Sequence, residues 1–316
     1  MVRPLLIAFA LCACVLSISL SAQTKSRPSV STVPGTVTIT SFDKDHSVVG
    51  WLEIVPFTSK TFHNTRMLRV WLPGNYFSPH NAQRKYPVLY LQDGQNLFDT
   101  ATANAAGEWH VDETLDHLVG SFKVPPMIVV GIDNAGEQRA SEYLPYPDAN
   151  HEKWGTPDLQ KQEARGKEYA RFVITEVMPF IEKHYRVVVG AANTGIGGSS
   201  YGGAVSLNAV FEYPGVFGKA LIESPIVGVG EGQLLKDAQT AKALPQKMFV
   251  AIGTSENPDA AYSQQVVNDV KELEAVLRKR GMGPARLKVE VEEGAVHNEA
   301  AWTRRLPDAL LFLYGR

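Results

Sequence analysis

Short apolar runs alternate with longer stretches of helical periodicity along most of this chain, and this alternation limits its possible folds more than any other feature. Runs of three to five apolar residues between turn residues suit strands that are buried on both faces. Segments with apolar residues at three-to-four spacing suit helices that cover such a sheet. The strand-like and helical segments follow one another as 88–91, 112–119, 127–130, 169–184, 194–197, 201–211, 220–222, 248–252, 262–280, 287–291 and 299–314.

Three β-like segments precede this series, at 37–40, 48–55 and 67–72. Strand–helix alternation after such a start predicts an α/β fold, with a mostly parallel central sheet, helices on both faces and an antiparallel beginning. Residues 134–166 are rich in Tyr, Pro, Asp and Glu without clear periodicity, which is typical of a functional loop or lid. With 44% apolar residues, the chain can bury one extended sheet, and we expect one domain over residues 36–316.

The N-terminus has the pattern of a signal peptide over residues 1–22. Arg3 precedes an apolar run that ends at Leu20, and Ser21-Ala22 supplies small residues before a polar linker at 23–35. We therefore predict cleavage near Ala22 and export to the periplasm or medium, without stable membrane insertion. A membrane anchor, or lipidation within Leu11–Cys14, is the alternative.

Charge and cysteine content exclude several classes of site. The net charge is −2, so no broad cationic surface is available for nucleic acid or anionic lipid. The only two cysteines, Cys12 and Cys14, lie in the signal segment. A cleaved chain would therefore have no disulfide, thiolate nucleophile or cysteine-ligated metal.

Gly198-Ser199-Ser200-Tyr201-Gly202 fits Gly-x-Ser-x-Gly, the pattern of a nucleophile on a sharp turn between a strand and a helix. Side chains at the glycine positions would collide in so tight a turn, and the following helix directs its positive N-terminus at a developing oxyanion. The pattern is short, and a Gly- and Ser-rich turn without a catalytic role is the alternative. Ser200 is the candidate nucleophile.

A base and an acid are expected after later strands. His297 lies between the last strand and the last helix, which makes it the preferred base among eight histidines. Glu256 follows the penultimate strand closely and is the first choice for the acid, with Asp259 second. Either carboxylate could instead cap the helix that follows. The chain order of serine, acid and histidine is the order used by α/β-hydrolases.

Two backbone N–H groups are candidates for the oxyanion hole. Tyr201 directly follows the candidate nucleophile, and Gln95 lies in a loop after an early strand. An ordinary Asp-Gly turn at Asp93-Gly94 is the alternative explanation for the loop that contains Gln95.

Several blocks together resemble the signature of the putative-esterase family, which groups enterochelin-esterase-like, feruloyl-esterase-like and mycolyltransferase-like hydrolases. The blocks are Tyr86–Asp99, Val130–Asn134 with Arg139, Glu142 and Tyr143, Gly197–Gly203, and His297–Glu299 with Trp302. The resemblance implies an α/β-hydrolase fold, a site without metal or cofactor, Ser200 and His297 as the catalytic pair, and Gln95 and Tyr201 as oxyanion donors. It leaves the acid open, because some siderophore esterases of this group lack the usual one.

Further side chains are candidates for contact with substrate. They are Asp93, Trp109, Arg139, Tyr143 and Trp154, and Tyr146 could join the aromatic residues in lining an acyl pocket. We expect Arg139 to pair with Glu142 and brace the loop after Asn134. A cluster at Glu108, His110, Asp112, Asp116 and His117 has the composition of a metal site, but acidic residues in the first turn of a helix explain it better.

These features predict an exported serine esterase that acts on a small-molecule or polysaccharide-linked ester. Acyl transfer to an alcohol on the same machinery is one alternative, and a catalytically inactive binding domain of the same fold is another. A metal-dependent hydrolase is a third.

Overall fold

The computed structural model describes residues 32–104, 107–147 and 163–315. Nine strands in these residues form one sheet in the order β1-β2-β3-β5-β4-β6-β7-β8-β9. The strands are β1 (Val37–Thr40), β2 (Trp51–Thr58), β3 (Thr65–Leu72), β4 (Val88–Gln92), β5 (Ile128–Ile132), β6 (Thr194–Ser199), β7 (Lys219–Glu223), β8 (Lys247–Ser255) and β9 (Leu287–Val296).

The sheet begins antiparallel and continues parallel. Strands β1, β2, β3 and β5 pair antiparallel in that order, whereas every pair from β5–β4 through to β8–β9 is parallel. The carboxyl ends of the parallel strands therefore meet at one edge, where ligands of open α/β sheets bind.

Eight α-helices of the described residues flank the sheet. They are α1 (Val111–Gly120), α2 (Arg139–Tyr143), α3 (Gly166–Phe172), α4 (Met178–His184), α5 (Tyr201–Glu212), α6 (Val229–Thr240), α7 (Ala260–Lys279) and α8 (Glu299–Tyr314). A single π turn at Val173–Val177 joins α3 to α4, so the one helix expected at 169–184 is interrupted. Helices α1 and α8 pack on one face of the sheet, and α3 to α7 pack on the other.

Alternate residues of each central strand supply the two cores. In β4, Val88 and Tyr90 lie in the core under α3 to α7, while Leu89 and Leu91 lie in the core under α1 and α8. Because these strands are buried on both faces, their sequences are continuously apolar and do not alternate with polar residues. The predicted α/β-hydrolase fold is confirmed.

Two helices, α2 and α6, were not predicted from the sequence. Helix α2 has only five residues, and it lies in the segment that was expected to have no regular structure, so that expectation is wrong for 136–143. Helix α6 includes Gly230–Gly232 at positive φ, which hides any helical period in its first turn. The predicted signal peptide, most of the 23–35 linker and Trp154 lie outside the described residues. Within the described part of the chain, no helix combines the length and apolar character that a membrane crossing requires.

Candidate active site

Ser200 occupies a strained turn at the edge where the parallel strands end. It joins β6 to α5 with φ 57° and ψ −125°, and its backbone N–H donates to the carbonyl of Glu223 in the neighbouring strand. A non-glycine residue at positive φ is costly and persists only when the surrounding structure holds it. Here the hydrogen bond to β7 and the start of α5 fix the turn from both sides.

The two glycines of the motif are required by close packing. A Cβ atom at Gly198 would lie 2.9 Å from the backbone of Gly202 and 2.9 Å from Cγ of Gln92. A Cβ atom at Gly202 would lie 3.0 Å from Cβ of Gln92. The first glycine is therefore required by the turn itself, as the sequence indicated, and the second by the adjacent strand β4.

His297 and Glu256 are joined by a short hydrogen bond. His297 Nδ1 lies 2.5 Å from Glu256 Oε2, and the side chain of Glu256 is 3% exposed whereas that of His297 is 35% exposed. Glu256 Oε1 also accepts from the Gly253 N–H at 2.6 Å and from the Ser224 hydroxyl at 2.7 Å. Burial acts to raise the pKa of Glu256, but these hydrogen bonds outweigh it and hold the pKa below its ordinary value.

Asp259, the second candidate for the acid, has a different position. Its side chain accepts from the N–H groups of Ala261 at 2.9 Å and Tyr262 at 3.3 Å, so it is the N-cap of α7. Of the two candidates, only Glu256 is brought to His297.

Ser200 and His297 face the same space. Both line two adjoining cavities at the carboxyl edge of the sheet. Across the described residues, no hydrogen bond joins their side chains. Hydrogen bonds of this kind often tighten only when a substrate binds.

The loop that carries Gln95 is pressed against β5. Gln95 lies in a 3-10 turn, Gly94–Asn96, that follows Asp93 at φ 57°. A Cβ atom at Gly94 would lie 2.7 Å from the carbonyl carbon of Gly131, so only glycine fits this approach. Gln95 Oε1 accepts from the Asn134 N–H at 3.2 Å. Tyr201 is the first residue of α5, and the oxyanion roles of both residues stay predictions.

The expected pairing of Arg139 with Glu142 is wrong. Arg139 instead forms a two-pronged ion pair with Asp93 at 2.7 and 2.8 Å, and Glu142 pairs with Arg66 at 2.7 Å. The error arose because neighbours in sequence were paired, whereas the fold brings each residue to a different strand or loop.

Two of the aromatic candidates do not reach the cavities. Tyr143 is fully buried and accepts a hydrogen bond from the Asp93 N–H at 3.3 Å, so its expected contact with substrate is corrected to a supporting role. The Tyr146 hydroxyl donates to Asp237 at 2.5 Å in a cavity lined by residues of α3, α5 and α6. Trp109 does line one of the two cavities beside Ser200.

The two cavities beside Ser200 differ in chemistry. One, which we call the apolar cavity, is lined by Pro225, Ile226, Ile252, Tyr262 and Val266, together with Tyr201, Ser224, Glu256 and Asn257. The other, which we call the polar cavity, is lined by Asp93, Asn96, Asn104, Asn134, Arg139 and Glu299, with Trp109 and Trp302. Ser200 and His297 stand where the two meet.

Sequence reasoning missed three side chains of the site. The Ser224 hydroxyl donates a hydrogen bond to Glu256. The Trp302 ring packs edge-on against the imidazole of His297, with ring centroids 5.3 Å apart. Glu299 accepts a hydrogen bond from Asn96 Nδ2 at 3.1 Å. Burial raises the pKa of Glu299 above its ordinary value. Trp302 and Glu299 belong to the block after His297, which was the only signal available for them.

Asp112 lies in the first turn of α1 with Glu113, as expected, but only some members of the cluster at Glu108, His110, Asp112, Asp116 and His117 lie together. Glu108 and His110 do approach each other, with Glu113 as the third member and all ligand atoms within 4.8 Å. His110 Nδ1 lies 3.2 Å from Glu113 Oε1, at hydrogen-bond distance, and 3.8 Å from Glu108 Oε1. Asp112 instead accepts from the Val49 N–H at 2.6 Å, inside the fold.

Known proteins resemble this chain in sequence and in fold. The family model described as "Putative esterase" matches residues 59–313. An uncharacterized protein of Bacillus subtilis, YbbA, is 25% identical over 252 residues, which cover 79% of this chain and 93% of that protein. An endo-1,4-beta-xylanase/feruloyl esterase of Xylanibacter ruminicola is 28% identical over 262 residues, 81% of this chain and 30% of that protein. A solved ferulic acid esterase has the same fold, with a TM-score of 0.59 and 20% identity over 88% of this chain and 97% of that one.

Proposed function

The chain belongs to the putative-esterase family, and from that premise we propose that it is a serine esterase in which Ser200 is the nucleophile and His297 the base. Ester hydrolysis follows from the family; the catalytic groups are our assignment. The observation that supports it is that the strained Ser200 lines the same two cavities as His297, whose Nδ1 is hydrogen-bonded to a buried carboxylate.

In this mechanism, Glu256 fixes the proton of His297 on Nδ1, which leaves Nε2 to accept the hydroxyl proton as Ser200 attacks the ester carbonyl. The oxyanion is stabilised by the N–H groups of Tyr201 and Gln95. His297 then protonates the departing alcohol, and water releases the acyl group from Ser200 by the same steps.

We assign the two parts of the substrate to the two cavities. The apolar cavity suits a compact aromatic or branched acyl group, because its lining buries apolar surface. The polar cavity, with its amides and the Asp93–Arg139 pair, suits a hydroxylated alcohol such as a sugar. The feruloyl esterase named among the relatives is consistent with this assignment.

An ester panel tests the proposal. One series keeps the alcohol constant and varies the acyl group, the second does the reverse, and Ser200→Ala serves as the blank. Ile226→Ala should change relative rates within the acyl series alone, and Asn134→Ala within the alcohol series alone. Turnover by Ser200→Ala at the wild-type rate would refute the catalytic assignment, and equal losses across both series would refute the cavity assignment.

We also propose that the enzyme is exported, after cleavage near Ala22. The proposal is supported by the charge, apolar run and small residues of the first 22 positions.

A further inference from the structure

Ser224 makes a connection that the catalytic assignment does not use. It lies just beyond β7 at φ 41°, and its N–H donates to the carbonyl of Ala251 in β8 at 2.7 Å. Its hydroxyl donates to Glu256 Oε1 at 2.7 Å and accepts from the indole N–H of Trp302 at 3.0 Å. One hydroxyl therefore joins the candidate acid to α8.

Trp302 closes this connection into a ring. Its side chain is nearly buried, and the indole meets the imidazole of His297 edge to face, at 5.3 Å and 86°. The ring of contacts runs from Trp302 through Ser224 and Glu256 to His297 and back to Trp302. Each member is held by two others.

We propose that Ser224 and Trp302 are positioning residues, which hold Glu256 and His297 in the geometry that general-base catalysis requires. This inference rests on the proposed function. An indole N–H can only donate, so it occupies a lone pair of the Ser224 oxygen and directs the single hydroxyl proton at Glu256. With Oε1 held in this way, Oε2 is presented to His297.

The backbone of Ser224 supports the same conclusion. Positive φ favours glycine, and a serine there costs conformational energy. Glycine would relieve this strain but would remove the hydroxyl. Ser224→Ala removes the hydroxyl and keeps the strain, whereas Ser224→Gly removes both, so a comparison of the two variants separates the effects.

The test compares Ser224→Ala, Ser224→Gly and Trp302→Phe with the wild type in steady-state hydrolysis. We expect kcat to fall about 10-fold to 100-fold, as for a small displacement of a catalytic group, with KM changed less than about 3-fold. The double variant Ser224→Gly/Trp302→Phe should be little worse than either single variant, because both act through Glu256.

The pH profile supplies a readout that a purely structural role would not move. The Ser224 hydroxyl helps to lower the pKa of Glu256, so its removal raises that pKa. The inflection that Glu256 contributes to the acid limb of the rate profile should then move to higher pH. The other charged groups nearby are Glu223 at the end of β7, paired with Arg305 of α8, and Glu299, and all remain in the variants.

Trp71→Phe is the matched control. Its indole N–H donates to the carbonyl of Val49 at 2.7 Å, away from the site, so this variant should lose stability but keep the wild-type kcat and pH profile. Wild-type kcat and pH profile in both Ser224→Gly and Trp302→Phe would overturn the inference. If only the positioning role is wrong, Ser200→Ala is still inactive. If the proposed function itself is wrong, Ser200→Ala is active.

Discussion

Replacing Glu256 by glutamine should remove most of the catalytic rate while leaving the fold intact. Glu256 Oε1 accepts from the Gly253 N–H and the Ser224 hydroxyl, so the amide oxygen of glutamine must take that place. The amide NH2 then faces His297 Nδ1, where the carboxylate oxygen lay at 2.5 Å. The imidazole is forced into the tautomer that carries its proton on Nε2, and it can no longer accept the proton of Ser200.

A triad held in the wrong tautomer loses about 10⁴ in kcat. For Glu256→Gln we expect a loss of about 10³-fold to 10⁴-fold, or roughly 4 to 5.5 kcal/mol of transition-state stabilisation. The assay is steady-state hydrolysis of an aryl ester at pH 8, with circular dichroism to monitor folding.

Asp259→Asn is the control for Glu256→Gln, because it makes the same chemical change three residues later. Asparagine caps helices as well as aspartate does, so the rate should stay within about twofold of the wild type. If the two variants give the reverse result, the acid is Asp259. If neither changes the rate, the reasoning is refuted and the enzyme works with Ser200 and His297 alone.

Three further predictions concern stability, the turn and export. Asp112 is fully buried, and burial raises its pKa to about 10, so folding above pH 4 requires proton uptake by this carboxylate. Asp112→Asn removes this requirement and should raise the free energy of unfolding at pH 8 by about 1 to 4 kcal/mol. Denaturant titration at a series of pH values should show that this gain in stability vanishes near pH 4. Lower stability of Asp112→Asn at pH 8 would contradict this. Gly198→Ala should destabilise by about 1 to 3 kcal/mol and lower kcat, since its Cβ would lie 2.9 Å from Gly202; wild-type melting would count against the packing argument. If the proposed export takes place, N-terminal sequencing of protein recovered from the periplasm or medium should begin near Gln23, and an intact Met1 would refute cleavage.

The order of elements could be predicted because most of the strands are buried on both faces and most of the helices on one. The runs at 88–91 and 248–252 are apolar throughout, as is typical of strands in a parallel sheet that is covered on both faces. Helix α2 could not be predicted, since five residues are too few to show a period. The same holds for the start of α6, where Gly230–Gly232 depart from helical geometry.

The candidate site was predictable where local geometry demands a residue type. The turn at Ser200 requires Gly198, and His297 follows the last strand, β9. The nucleophile and the base could therefore be recognised from the sequence alone. Contacts between distant segments have no such signal. Arg139 pairs with Asp93, and Ser224 meets Trp302 across 78 positions, only because the sheet brings their elements together.

Labelling by a fluorophosphonate tests the central claim most directly, because this reagent forms a covalent bond only with an activated serine. The account predicts one adduct per chain, located on Ser200 by peptide mass spectrometry, with loss of esterase activity in proportion to labelling. Labelling should fall about 10⁴-fold or more in His297→Ala and be absent in Ser200→Ala. An adduct on another serine, or full activity after complete labelling of Ser200, would contradict it.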